Sequence, residues 1–122
     1  MNTRIFGEGK DLIILHGLYG SGDNWLSFAR QIPSGFRIHL PDQRNHGNSP
    51  HDTDHSYHAM VADLKIYIEA NNIVSPIIMG HSMGGKTAML FSVLYPEINF
   101  PFNCIGHFAS WLCRAYKSFR FN

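Results

Sequence analysis

Cysteine is scarce in this chain. Its two residues, Cys104 and Cys113, both lie near the end and make no disulfide framework. No apolar run approaches the roughly 18 residues that cross a bilayer. The opening MNTRIFGEGK carries no apolar stretch behind its first basic residue, so neither a membrane span nor a secretory leader is expected. Charge is sparse too: 16% of residues are Asp, Glu, Lys or Arg and the formal balance is +1, which gives no electrostatic basis for binding nucleic acid. With 44% hydrophobic residues in 122 positions, the composition describes one soluble domain with its own core, for which the cytoplasm is the default location.

Acid is missing from one region altogether. Residues 1–97 hold seven Lys and Arg against nine Asp and Glu, whereas residues 98–122 hold Arg114, Lys117, Arg120 and seven aromatics with no acid. Composition therefore shifts abruptly after Pro96 and Glu97.

Before that shift, apolar patterning alternates between strand and helix. Thr3 to Phe6 reads as a short strand and Gly7 to Lys10 as a turn. Leu12 to Leu15 is an uninterrupted apolar run, the pattern of a parallel strand covered on both faces. A helix is expected over Trp25 to Gln31, capped by Asp23 or Asn24, and a strand over Phe36 to Leu40, where apolar residues alternate with Arg37 and His39. Tyr57, Met60, Val61, Leu64 and Ile68 recur at helical spacing behind Ser56, a good N-cap, and Asn71 and Asn72 suit a left-handed helix end. Val74 to Met79 reads as a further strand and Met83 to Tyr95 as a helix apolar nearly all round, stopped by Pro96. Such alternation predicts a mostly parallel sheet with helices on its faces and ligands at the carboxyl ends of its strands. The loops after Leu15, Leu40 and Met79 all leave such ends.

The third loop carries the densest chemistry. Gly80, His81, Ser82, Met83 and Gly84 form a G-x-S-x-G run between a strand and a helix, the setting of a nucleophile elbow. A Cβ at Gly80 or Gly84 is expected to collide with the adjoining strand or helix. Ser82 is then the candidate nucleophile. The same letters admit another reading, because Gly80, Gly85, Lys86 and Thr87 also satisfy G-x-x-x-x-G-K-[ST], the phosphate-cradling P-loop. That reading needs a magnesium-binding acid at the end of another strand. Asp42 is the one serviceable candidate, and the reading leaves HGLYGSG and PDQRNHGNSP unexplained. His51, Asp52, Asp54, His55 and His58 match no metal-ligand spacing, nor do Cys104, His107 and Cys113.

HGLYGSGDNW at 16–25, PDQRNHGNSP at 41–50 and GHSMGGK at 80–86, in this order, resemble the α/β-hydrolase fold, and more narrowly its small bacterial carboxylesterase branch typified by YbfF. The resemblance covers residues 1–97. It implies a three-layer α/β sandwich that hydrolyses a small-molecule carboxylic ester or thioester through a Ser82 acyl-enzyme, with no metal or organic cofactor; charge and the lack of an apolar span already argue against nucleic-acid and membrane partners. It also implies an oxyanion hole made of the Leu18 and Met83 backbone N–H groups, with His16, Gly17, Gly80 and Gly84 shaping the loops. Arg44, Asn45 and His46 would organise the floor beneath the elbow.

The triad acid and histidine are not identified. In this fold they follow the serine, yet only Glu97 and His107 do so here. The expectation is a chain truncated after the elbow helix, with residues 98–122 an unrelated or frame-shifted tail, and a catalytically inactive fragment is the alternative to an active esterase.

Overall fold

The computed structural model describes residues 1–98. The 98–122 tail, with Cys104, His107 and Cys113, lies outside the described residues but for Ile98. Four strands, β1 (Thr3–Phe6), β2 (Gly9–Leu15), β3 (Gly35–Pro41) and β4 (Ile77–Gly80), form one sheet in the order β1-β3-β2-β4. β2 is central and parallel to both neighbours, with Leu12 beside Ile38 and Ile77, and Leu15 beside Gly80. β1 runs antiparallel to β3, so the sheet is mostly parallel.

The apolar run of β2 has the burial its pattern implies. Alternate side chains face opposite sides, and each side is covered. Ile13 and Leu15 join Ile78 against Val61, Leu64, Ile68, Ala88 and Phe91, which belong to the helices α2 (Tyr57–Ala70) and α3 (Met83–Leu94). Leu12 and Ile14 join Ile38 and Leu40 against Ala29 and the flanking Trp25, Leu26 and Ile32. Helix, sheet and helix make the three expected layers.

Several boundaries differ from expectation for identifiable reasons. The turn between β1 and β2 is shorter than read, because Gly9 and Lys10 already pair with Gly35 and Phe36. The helix expected over Trp25 to Gln31 is a 3₁₀ turn (Gly22–Trp25) followed by one α turn, α1 (Leu26–Ala29). Neither Asp23 nor Asn24 caps it; Asp23 instead pairs with Arg4 across the surface. β4 starts at Ile77 because Pro76 lacks an N–H and Ser75 has φ 48°. Ser56 does cap α2, its hydroxyl accepting the Ala59 N–H at 3.1 Å, and Asn72 takes the left-handed conformation after the helix.

Candidate active site

The turn joining β4 to α3 contains only His81 and Ser82. The His81 N–H donates to the Leu15 carbonyl at 3.0 Å, which ties the turn to the end of the central strand. Ser82 then takes φ 50° and ψ −112°, a backbone state that costs a non-glycine residue on the order of 1–3 kcal/mol. The strain persists because α3 begins at once and packs close. A Cβ on Gly84 would stand 2.3 Å from the Leu15 carbonyl oxygen, and one on Gly80 would stand 2.4 Å from that of Gly84. Glycine at both positions lets strand, turn and helix close up, which leaves Ser82 exposed at the tip. Met83 is the first residue of α3, so its N–H is one that the helix itself leaves without an acceptor.

Facing this turn is the loop after β2. Gly17, Leu18, Tyr19 and Gly20 form a turn closed by the Gly20 N–H donating to the Gly17 carbonyl at 3.0 Å. The same carbonyl faces Nδ1 of His16 at 2.8 Å, and the other ring nitrogen, Nε2, accepts the Gln43 N–H at 3.0 Å. A carbonyl can only accept and an N–H can only donate, so His16 is the neutral tautomer with its proton on Nδ1. Complete burial also lowers its pKa, against the raising effect of the bond to Gly17. The consequence reaches Leu18: the Gly17 carbonyl and the Leu18 N–H are opposite edges of one planar peptide. By fixing the carbonyl, His16 aims that N–H. Gly17 itself approaches His81, whose Nδ1 would lie 2.9 Å from an added Cβ.

The loop after β3 braces the first. Asp42 accepts the Gly22 N–H at 2.8 Å, the Asn48 N–H at 3.0 Å and the Asn2 side-chain amide at 2.8 Å. Burial, the largest influence, pushes its pKa up, but these donors outweigh it and the pKa falls below the ordinary carboxylate value. His46 accepts the Tyr19 N–H through Nε2 at 3.1 Å and bonds the Arg44 carbonyl through Nδ1 at 2.9 Å. Arg44, expected in the floor beneath the elbow, bonds to the α2 side of its loop. It makes a two-pronged ion pair with Asp63 of α2, at 2.8 and 2.9 Å, and donates to the Asp54 carbonyl, which supports the second loop from the α2 side.

Gly17, Leu18, Trp25, His81 and Ser82 line one cavity of about 300 Å³. An exposed serine on a strained strand-to-helix turn thus shares a cavity with Gly17 and Leu18, whose joining peptide His16 fixes. A family model described as the alpha/beta hydrolase fold matches residues 11–98. The chain belongs to the α/β-hydrolase fold family. Among curated relatives it is 44% identical over 89 residues to the mouse sn-1-specific diacylglycerol lipase ABHD11, covering 71% of this chain and 29% of that protein. It is 41% identical over 87 residues to esterase YbfF of Escherichia coli, covering 71% and 34%. A solved marine microorganism esterase superposes with a TM-score of 0.82 at 51% identity, covering 84% of this chain and 40% of that one. The chain thus spans about a third of the length of these curated relatives. Its likeness extends beyond bacterial esterases to a vertebrate lipase.

In this α/β hydrolase the P-loop reading does not survive. A phosphate cradle needs an open loop up to its lysine, but α3 already includes Gly84, Gly85, Lys86 and Thr87. The Thr87 hydroxyl is spent on the Met83 carbonyl at 3.0 Å, Lys86 lies over the Tyr57 ring, and Asp42 is filled by N–H donors. Among the described residues no cluster of His, Cys, Asp and Glu could hold a metal, and no helix is long and apolar enough to cross a membrane. Sequence reading missed two polar networks. One is the bracing by His46 and Asp42. The other buries His39 between Asp11 and Tyr67, each at 2.7 Å, where the alternation along β3 had suggested only a polar position. His39 bonds Tyr67 of α2 and does not line the Ser82 cavity.

Proposed function

We propose that this α/β hydrolase chain supplies the nucleophile and oxyanion hole for hydrolysis of carboxylic esters or thioesters. Ser82 Oγ attacks the acyl carbon and its proton leaves to a base. The carbonyl π electrons move onto oxygen, where the Leu18 and Met83 N–H groups stabilise the charge. Collapse of this intermediate expels the alcohol or thiol and leaves an acyl-Ser82, which water hydrolyses. Each preset donor contributes on the order of 3 kcal/mol to such a transition state. Supporting this reading above all is the strained, exposed Ser82 sharing a cavity with the loop whose Leu18 N–H His16 aims.

A second reading has its own observation. A serine hydroxyl needs a base oriented by a third group, yet no carboxylate lines the Ser82 cavity and no histidine bonds Ser82 among the described residues. On that reading the chain holds half of the machinery. Two measurements on the purified chain separate the readings: labelling of Ser82 by a fluorophosphonate, and turnover of p-nitrophenyl acetate, both with Ser82→Ala as control. Labelling with turnover supports a working esterase. A folded chain that does neither supports the half-site, and labelling or turnover that persists in Ser82→Ala refutes the proposed role of Ser82.

A further inference from the structure

Tyr19 is an unusual choice for its position. Its φ of 62° lies in the left-handed region, where glycine is the ordinary residue. Its side chain is 92% exposed, so packing does not hold it there. What the backbone has instead is one directed bond, from the Tyr19 N–H to Nε2 of His46. The state of His46 is set on chemical grounds. Nδ1 meets a carbonyl and must carry the proton; Nε2 meets an N–H and must be bare. The ring is 7% exposed and lies tilted against two others, with centroids 5.0 Å from His16 and 5.5 Å from His55. Its anchor is rigid as well, because the Arg44 carbonyl that it bonds belongs to a residue fastened to α2 through Asp63.

We propose that His46 is a positioning residue which, by accepting the Tyr19 N–H, holds the 17–20 turn in the conformation that presents the Leu18 N–H to the oxyanion. This deepens the reading of Ser82 and Leu18 given above and rests on it. Two histidines then divide the work. His16 fixes the Gly17–Leu18 peptide through its carbonyl, and His46 fixes the next peptide, Leu18–Tyr19, through its N–H. With both planes pinned, the Leu18 N–H has one direction. Without His46, the Leu18–Tyr19 peptide is free to flip and relieve the positive φ.

The test uses the whole chain with His46→Phe, which keeps a ring but no acceptor, and His46→Gln, whose carbonyl oxygen reaches the place of Nε2. Amide exchange followed by NMR should show the Tyr19 N–H protected in the native chain, exchanging at least ten times faster in His46→Phe and largely protected again in His46→Gln. The amides of α2 and α3 serve as the check that the fold is retained. The rate of Ser82 labelling by a fluorophosphonate should fall at least tenfold in His46→Phe and recover in His46→Gln. Unchanged Tyr19 exchange in His46→Phe overturns the inference, as does faster exchange with an unchanged labelling rate. Absence of labelling in the native chain counts against the Ser82 reading itself, and the exchange measurement still decides whether the clamp exists.

Discussion

Asp42→Asn should destabilise the chain far more than a surface carboxylate substitution would. The native carboxylate accepts through Oδ1 from Gly22, and through Oδ2 from Asn48 and the Asn2 side chain. Asparagine offers one acceptor oxygen and one NH2. If its oxygen replaces Oδ2, the buried Gly22 N–H faces an NH2; the other orientation strands two donors. An unmet buried donor costs about 1–3 kcal/mol, and each surviving bond drops from charged to neutral strength, a loss of about 1 kcal/mol. The sum is about 3–5 kcal/mol, a large share of the 5–15 kcal/mol typical of a domain. Urea unfolding followed by tryptophan fluorescence reads it directly, as a lower midpoint at unchanged slope. The carboxylate also adds an acid limb: its folded pKa is lowered, so the native state binds fewer protons than the unfolded one, and its contribution is complete above 3.8 and lost as pH falls below that value. The variant should lack this limb. A loss below about 1 kcal/mol at pH 7, with an unchanged acid limb, would refute the account of Asp42 as the brace between the first two loops.

Other expectations follow from the same geometry. Ser82→Gly should be more stable than Ser82→Ala by about 1 kcal/mol, because glycine relieves the positive φ whereas alanine keeps it; thermal melts of the two side by side read the difference. Gly84→Ala should cost about 3 kcal/mol and abolish Ser82 labelling, since its Cβ meets the backbone of β2 and not a yielding side chain; urea unfolding and labelling check the two parts. Phe91→Ala, at a fully buried ring of α3, should cost about 3–5 kcal/mol by the same unfolding assay. For His16 the folded pKa lies below 6.5, so the unfolded chain takes up its proton first. Its contribution to stability is complete above 6.5 and lost as pH falls below that value, by up to about 1.4 kcal/mol per pH unit. Unfolding at pH 7.5 and 5.5 should show that loss in the native chain and a smaller one in His16→Asn.

How much of this was legible in the sequence depends on whether the signal is local. The four apolar residues of β2 announced a strand buried on both faces, and the Ser56 cap and the G-x-S-x-G run each fit within a few positions. Short-range chemistry sufficed there. The abbreviated α1 was not legible, because Trp25 to Ile32 has a helical pattern and what limits it is the Ser21–Trp25 turn and the docking of Gly22 on Asp42. The bracing was not legible either. His46 meets Tyr19 across 27 positions, and Gln43 meets His16 across another 27, through backbone N–H groups that leave no mark in the side-chain pattern. The PDQRNHGNSP motif points to His46 as a support beneath the elbow, and only the fold shows that it bonds Tyr19 of the first loop.

On the proposed reading the strained turn presents Ser82 as a nucleophile beside the Leu18 and Met83 donors. The most direct test of that reading is intact-mass and peptide mass spectrometry of the folded chain after incubation with a fluorophosphonate. A single adduct should form that maps to Ser82, is absent from Ser82→Ala and forms more slowly when His16 is replaced. A folded chain that takes up no reagent, or an adduct that persists in Ser82→Ala, would contradict it.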